Sequence, residues 1–305
     1  MSIEIGPVLP LDPSLYSLQG EELAFIQKFT GINGEDELKN HIIEVQSKAY
    51  AKCGYPCIRG FGFLKLGISR NPDYKSALKL LQERQSPILL DLGCCFGTDI
   101  RKVVDDGWLA ENVVAADLQQ DFWDAGHELF KSTPKSFPAK FILGDAFDSG
   151  FLNPVSLEDL KAQVLEFESL DHPQLAELTS LTQLRGKVSA IHTASFFHLF
   201  TEQRQAGLAR SLAALLIPTP GSIILGQHIA TPDVGIKRYN RAGKAREMFC
   251  HSPSSWEKLW CDDVFGAAGI KTKVTAELVD ISDMRKYLEE DGDKVWIMKW
   301  SVVLM

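Results

Sequence analysis

The sequence predicts an α/β fold: a doubly wound, seven-stranded sheet that closes with an antiparallel C-terminal hairpin and carries a helical cap at its N-terminus. Three observations lead there. From residue 87 onward, short apolar runs alternate with helical patterns, as in a parallel sheet buried on both faces. The last two strand-like runs, TKVTAELVD and KVWIMKWSVVL, have no helical pattern between them and so pair without a crossover helix. The first run, PILLDLG, leads directly into a loop with glycines at 93 and 97 and then into a helix.

Taken in order, GEDELKNHIIEVQSKAY spaces Leu38, Ile42, Ile43, Val45 and Tyr50 as a helix over about 35–52. A stretch dense in Gly, Pro and aromatics follows, then a helix at Tyr74 to Glu83. After PILLDLG come a helix at about 98–106, the strand VVAAD (113–117), the helix QDFWDAGHELFKS and the strand AKFILGD (139–145). A long helical stretch is expected at about 156–183, then the strand KVSAIHTA (187–194), a helix at 201–216 and the strand GSIILGQHIA (221–230). A polar loop leads to SPSSWEKLWCDDVFGAAG, a helix capped by the serines at 252–255. The expected division is a cap or lid over residues 1–86 and a cofactor-binding domain over 87–305.

The whole chain narrows the function classes. Its 305 residues are 45% hydrophobic and 24% charged, ordinary globular composition. With a net charge of -8 and no basic run, the chain does not suit a nucleic-acid backbone. MSIEIGPVLPLDPSLY has no basic n-region or apolar h-region, so a secretory signal is not expected, and no apolar run is long enough for a membrane span. The six cysteines, at 53, 57, 94, 95, 250 and 261, form no paired CxxC set, which points to reduced thiols, a cytoplasmic protein and no metal site. Cys94 and Cys95 read as packing residues.

The loop carries the chemistry. A dinucleotide loop wants G-x-G-x-x-G so that a pyrophosphate can reach the helix end. Here the spacing is Gly93-x-x-x-Gly97, and Asp99 in the first turn of the helix would repel a pyrophosphate but tolerate a cationic cofactor. Asp91, ending the first strand, can face an ammonium group. Asp117, twenty residues after Gly97 and followed by Leu118, is placed to accept both hydroxyls of a ribose. Asp145, Ala146 and Phe147 after the third strand offer an acceptor for an adenine amine, a backbone N–H and an apolar face. Arg59, the cation of the segment YPCIRGFGF, is a candidate partner for a cofactor carboxylate.

On these motifs the chain resembles the class I S-adenosylmethionine-dependent methyltransferases over roughly residues 87–305, with Cys95 where the family commonly has a glycine. YPCIRGFGFL (55–64), LDLGCCFGTDIRKVVDDG, DFWDAGHELF (121–130) and GDAFD (144–148) further resemble fungal methyltransferases of meroterpenoid and related secondary-metabolite clusters. The resemblance implies a Rossmann-like fold, S-adenosyl-L-methionine as cofactor, and O-methylation in secondary metabolism such as terpenoid biosynthesis, often of a carboxylic acid. It also places HTASFFHLF (192–200), at the end of the fourth strand, beside the transferable methyl, making Ser195 and His198 catalytic candidates and Phe196 a substrate contact. His228, ending the fifth strand, is a further substrate candidate. Lys237, Arg238, Arg241, Lys244 and Arg246 make a local basic cluster suited to an acidic substrate, with Arg238 and Arg241 as its proposed contacts.

The expected reaction is methyl transfer to a hydrophobic, acidic or phenolic small molecule, with a carboxyl group as the favoured acceptor. Methylation of a phenol or alcohol with His198 as base, a cofactor-binding enzyme repurposed for cyclisation, and a nicotinamide-dependent oxidoreductase remain the alternatives. The cap is expected to cover either its own site or that of a partner in a homodimer.

Overall fold

Seven strands form the central sheet: β1 (Leu89–Leu92), β2 (Val113–Asp117), β3 (Lys140–Leu143), β4 (Ala190–Ala194), β5 (Ile223–Ala230), β8 (Thr272–Asp280) and β9 (Trp296–Leu304). Their spatial order is β3-β2-β1-β4-β5-β9-β8. The first five run parallel, and β9 is antiparallel to both β5 and β8. The order reverses between β1 and β4, so the crevice at their C-terminal ends is where a ligand of such a sheet binds. The computed structural model describes residues 9–166, 173–241, 244–282 and 294–305, with Asn240 and Arg241 through their backbone alone.

Each face of the sheet is covered. On one side α4 (Tyr74–Glu83) and α5 (Thr98–Asp105) set Tyr74, Ala77, Leu80, Ile100 and Val103 against Leu89, Ala115, Ala190 and Leu225. On the other, α7 (Leu157–Leu165) and α8 (Glu202–Leu215) pack Leu160, Leu208 and Leu212 against Leu90, Val114, Ile191 and Ile224. The central strands β1, β2, β4 and β5 are apolar on both faces because both are buried, which is why they read as continuous runs rather than alternations.

The N-terminal helices α1 (Gly20–Thr30), α2 (Glu35–Lys52) and α3 (Pro56–Arg59) share a core with α6 (Gln120–Leu129). Phe25, Ile26, Leu38, Ile42 and Val45 meet Phe96, Phe122, Leu129 and Phe130. The N-terminal helices thereby pack on Phe96, the residue after Cys94 and Cys95, and on the helix that follows β2. By contrast, α4 packs within the sheet's own core.

Three expectations need correction. Of the stretch expected to be helical over 156–183, residues 167–172 lie outside the described residues; α7 ends at Leu165, and from 173 onward the chain makes short 3-10 turns at Leu175–Glu177 and Leu181–Leu184. Leu178, Leu181 and Leu184 are buried at a three-residue spacing that imitates a helix stripe. The polar loop after β5 is a hairpin, β6 (Gly235–Arg241) with β7 (Lys244–Cys250), paired outside the main sheet. Its residues are largely exposed, so no apolar alternation marked it. The helix after it, α9 (Pro253–Lys258), is capped by Ser252 as expected but continues as a π-helical turn, Leu259–Val264.

Candidate active site

Gly93, Cys95 and Gly97 all take left-handed backbone, with φ of 80°, 51° and 67°. The loop therefore coils past β1 in a conformation that glycine adopts freely and that costs an L-residue about 1 kcal/mol. Cys95 accepts that cost at the position where a glycine is commonly found. Packing explains the two true glycines: a Cβ would lie 2.9 Å from the Phe196 ring at Gly93 and 2.7 Å from Trp123 at Gly97. Cys94 is buried, and Cys95 packs against the cap cluster with Tyr55. Cys57, on α3, faces Cys95 as a neighbouring thiol, and the pairing lowers the Cys57 pKa and raises that of Cys95. The cysteines thus act as contacts between loop and cap.

Arg101, which the sequence reading did not single out, braces the loop from below. Its guanidinium donates to Phe96 O at 3.0 Å, Gly97 O at 3.1 Å and Ser132 Oγ at 3.1 Å. It also lies 4.4 Å from the Phe130 ring centre and 4.5 Å from that of Phe137. An arginine four residues past a loop glycine looks like an ordinary surface position of a helix; only the tertiary packing reveals it.

Asp117 closes the loop at the end of β2. Its two oxygens accept the backbone N–H groups of Cys95 and Gln119, each at 2.9 Å. Burial raises its pKa, and these two bonds act in the opposite direction. Each oxygen keeps a lone pair for a further donor, as two adjacent hydroxyls require. Leu118 beside it is an exposed leucine, an apolar surface at the strand ends. After β3, Asp145 accepts the Phe147 N–H at 2.9 Å, and Asp145, Ala146 and Phe147 are all half-buried. Phe147 and Phe196 both pack on Phe200, at 4.6 and 5.1 Å between ring centres. An aromatic row therefore runs from the β3 end to the β4 end, with Phe196 against the loop.

Asp91 and Asp99 are turned inward. Asp91 is buried and paired with His192, whose Nδ1 lies 2.9 Å from Asp91 Oδ1. Asp99 accepts the Ile68 N–H at 2.9 Å and faces His192 Nε2 at 4.0 Å. Burial pushes the Asp99 pKa up to about 6 against the opposing effect of His192. The Asp99 carboxylate, placed by the sequence in the first turn of α5, fastens the turn at Gly67–Ile68 to that helix. Arg59 is likewise buried, and its Nε donates to Pro10 O at 2.8 Å, tying the N-terminal segment to α3.

At the β4 end Ser195 is exposed with φ 54°, its N–H donating to Gln227 O at 2.7 Å. His198 is half-buried, and its Nδ1 accepts the Ile229 N–H at 3.4 Å. Burial pushes its pKa down to about 4. The ring is neutral at ordinary pH, and with Nδ1 occupied as an acceptor its proton sits on Nε2.

His228 does not reach the crevice. It is 2% exposed, accepts from Trp300 Nε1 at 2.9 Å, and sits among Phe197, Trp256 and Trp300. Side chains alternate along a strand, so the strand's last turn outward falls to its neighbours. Arg238 is 82% exposed and pairs with Glu247 at 2.9 Å across the hairpin, while the side chain of Arg241 lies outside the described residues. Among the described residues no group of three or more His, Cys, Asp or Glu side chains could hold a metal ion, and no helix is long and apolar enough to cross a membrane.

An inverted strand order with an antiparallel edge and a left-handed glycine loop at the switch point define a Rossmann-like α/β fold. Residues 11–64 match the meroterpenoid methyltransferase N-terminal domain. The chain is 31% identical to O-methyltransferase phiE of a fungal species (strain ATCC 74256), over 81% of this chain and 71% of that one. It is 31% identical to O-methyltransferase atr3 of Stereocaulon alpinum over 80% and 61% of the two chains. With the Asnovolin E/Chermesin D methyltransferase nvfJ of Aspergillus novofumigatus it shares 28% over 78% and 73%. Among solved structures it is similar to a Burkholderia thailandensis 1,6-didemethyltoxoflavin-N1-methyltransferase, with 12% identity, 89% and 91% coverage and a TM-score of 0.46. The chain belongs to the methyltransferase family that contains these fungal enzymes, and it is a methyltransferase.

Proposed function

We propose that this enzyme transfers a methyl group from S-adenosylmethionine to the carboxylate of a hydrophobic small molecule of secondary metabolism, forming a methyl ester. The cofactor fits the donor set: two acceptor oxygens at Asp117 for a ribose, the Asp145–Phe147 turn for an adenine, and buried acids rather than anion-binding cations at the loop. When bound, S-adenosylmethionine supplies an electrophilic methyl group on a sulfonium. The chain's own residues then have to align an acceptor with that carbon and keep water out. In this reading the helices α1–α3 serve as the cap over that crevice, and α4 joins residues 87–305 in the cofactor-binding domain.

The observation that carries the carboxylate reading is the state of His198. A base for a phenol or alcohol needs an open ring nitrogen and a pKa near the working pH. His198 has its Nδ1 engaged by the Ile229 N–H and its pKa depressed to about 4, so it presents an Nε2–H donor. A donor suits an acceptor that is already ionised: it orients a carboxylate without removing a proton. The exposed Ser195 and the half-buried Phe196 complete the polar and apolar sides of that corner. The basic residues of the β6–β7 hairpin attract an acid toward it.

Incubation with methyl-labelled S-adenosylmethionine and a panel of lipophilic aromatic acids and phenols tests this reading. Label is expected in a product that mild alkali releases as methanol. Label confined to alkali-stable ethers would overturn carboxyl transfer, and transfer to neither class would overturn O-methylation of such substrates.

A further inference from the structure

Asp91 and His192 are register partners on adjacent parallel strands, and they point to the sheet face covered by α4 and α5. Their side chains are 4% and 3% exposed. Beyond His192, at 4.0 Å from its Nε2, stands the Asp99 carboxylate on the first turn of α5. Among the described residues, His192 is the basic side chain within ion-pair reach of these two acids. Two carboxylates so little exposed to water destabilise one another unless a cation lies between them. The other groups that face this cluster do not supply one. Asp117 and Cys94 feel Asp91 from the loop side, Tyr74 of α4 feels Asp99, and β5 contributes the neutral amide of Gln227. From the cap comes the Ile68 N–H.

Methyl transfer as described uses neither histidine nitrogen, yet the side chain joins the two halves of the cofactor loop. We propose that His192 is a positioning residue for the cofactor: held between Asp91 and Asp99, it fixes the Asp91 carboxylate to receive the amino-acid end of S-adenosylmethionine while Asp99 stays fastened to the cap. This rests on the loop being a site for that cofactor. Burial opposes the charged ring, but the two neighbouring acids and the Asp91 hydrogen bond outweigh it and raise its pKa above the ordinary value, which favours the protonated form. A neutral ring would keep the Asp91 hydrogen bond but set no positive charge between the two carboxylates. Asp91 alone of the two is free of a cap contact, so its orientation is the one that a ligand's ammonium reads.

The discriminating probe pair is S-adenosylhomocysteine, which has the amino-acid tail, and methylthioadenosine, which lacks it. By calorimetry, His192→Asn is expected to weaken S-adenosylhomocysteine at least tenfold and methylthioadenosine less than about threefold. Equal loss for both ligands, or no loss for either, overturns the proposal. Wild-type protein that binds neither ligand overturns the cofactor reading instead. Should the variant not fold, the ring nitrogens of the wild-type protein decide by NMR. One histidine is expected to titrate above the free-histidine value, to move down in Asp99→Asn, and to shift on adding S-adenosylhomocysteine but not methylthioadenosine. The absence of such a ring contradicts the assignment.

Discussion

Asp117 and Cys95 are bonded across the mouth of the cofactor loop: the aspartate Oδ2 accepts the cysteine N–H at 2.9 Å, while Oδ1 accepts the Gln119 N–H at the same distance. A carboxylate can satisfy both donors and still receive a ribose. An amide cannot, because one of its termini is itself a donor, and an unsatisfied buried N–H costs roughly 1–3 kcal/mol. Asp117→Asn is therefore expected to weaken S-adenosylhomocysteine at least tenfold in a calorimetric titration.

Cys95 is a packing residue in a glycine conformation. Cys95→Gly removes the strain of φ 51° and a small side chain together, and kcat/KM should stay within about threefold of wild type. Cys95→Val adds a β-branched residue to left-handed backbone and is expected to destabilise by about 1–2 kcal/mol in denaturant unfolding. A Cys95→Gly enzyme without activity would show the thiol to be chemical.

Arg101 holds two loop carbonyls and Ser132. Arg101→Met keeps the apolar contacts with Phe130 and Phe137 but removes the guanidinium from Phe96 O, while Gly97 O keeps the backbone N–H of residue 101 and Ser132 Oγ keeps His127. A loss of roughly 2–4 kcal/mol in stability is expected, read as a lower denaturant midpoint, together with weaker cofactor binding, since Phe96 O is no longer held.

Acid should unfold the protein through its buried histidines. Burial lowers His251 from 6.5 to about 4 and takes His228 well below 6.5. Between about 4 and 6.5 the unfolded chain binds more protons at these sites, so their contribution to stability falls as pH drops through that window, on the order of 3 kcal/mol for His251. Asp99, raised to about 6, works in the opposite sense below that pH, and His192 adds stability on the acid side that is lost as pH rises through its elevated pKa. With His127 and His198, four depressed histidines oppose three groups: Asp99, His192 and Asp117, the last of which burial also raises. The melting temperature is expected to rise from pH 4.5 to 6.5, and to rise less steeply in His251→Asn.

His198→Ala separates the two acceptor chemistries. If His198 only donates to a carboxylate, kcat should fall about tenfold or less and keep its pH profile above pH 6. A loss of a thousandfold, with the loss of a basic limb in the profile, would make it a base.

Much of the fold was legible because β1, β2, β4 and β5 are buried on both faces and leave unbroken apolar runs, and because Gly93 and Gly97 punctuate the turn after β1. The acids at 91, 117 and 145 were found by position at strand ends. What those acids touch was not legible. His192 sits inside an apolar strand and Arg101 on a helix, and their roles arise from register and packing between segments distant in sequence. The same holds for His228, which falls at a strand end like the others but is turned into a tryptophan cluster. The β6–β7 hairpin escaped notice because its strands bury too little to alternate.

The central claim is that the Gly93–Gly97 loop and the acids after it bind S-adenosylmethionine. Calorimetric titration of the wild-type protein with S-adenosylhomocysteine and, separately, with NADPH tests it most directly. Saturable one-site binding of S-adenosylhomocysteine with no heat from NADPH is the expected result; binding of NADPH in the absence of any S-adenosylhomocysteine signal would contradict the account.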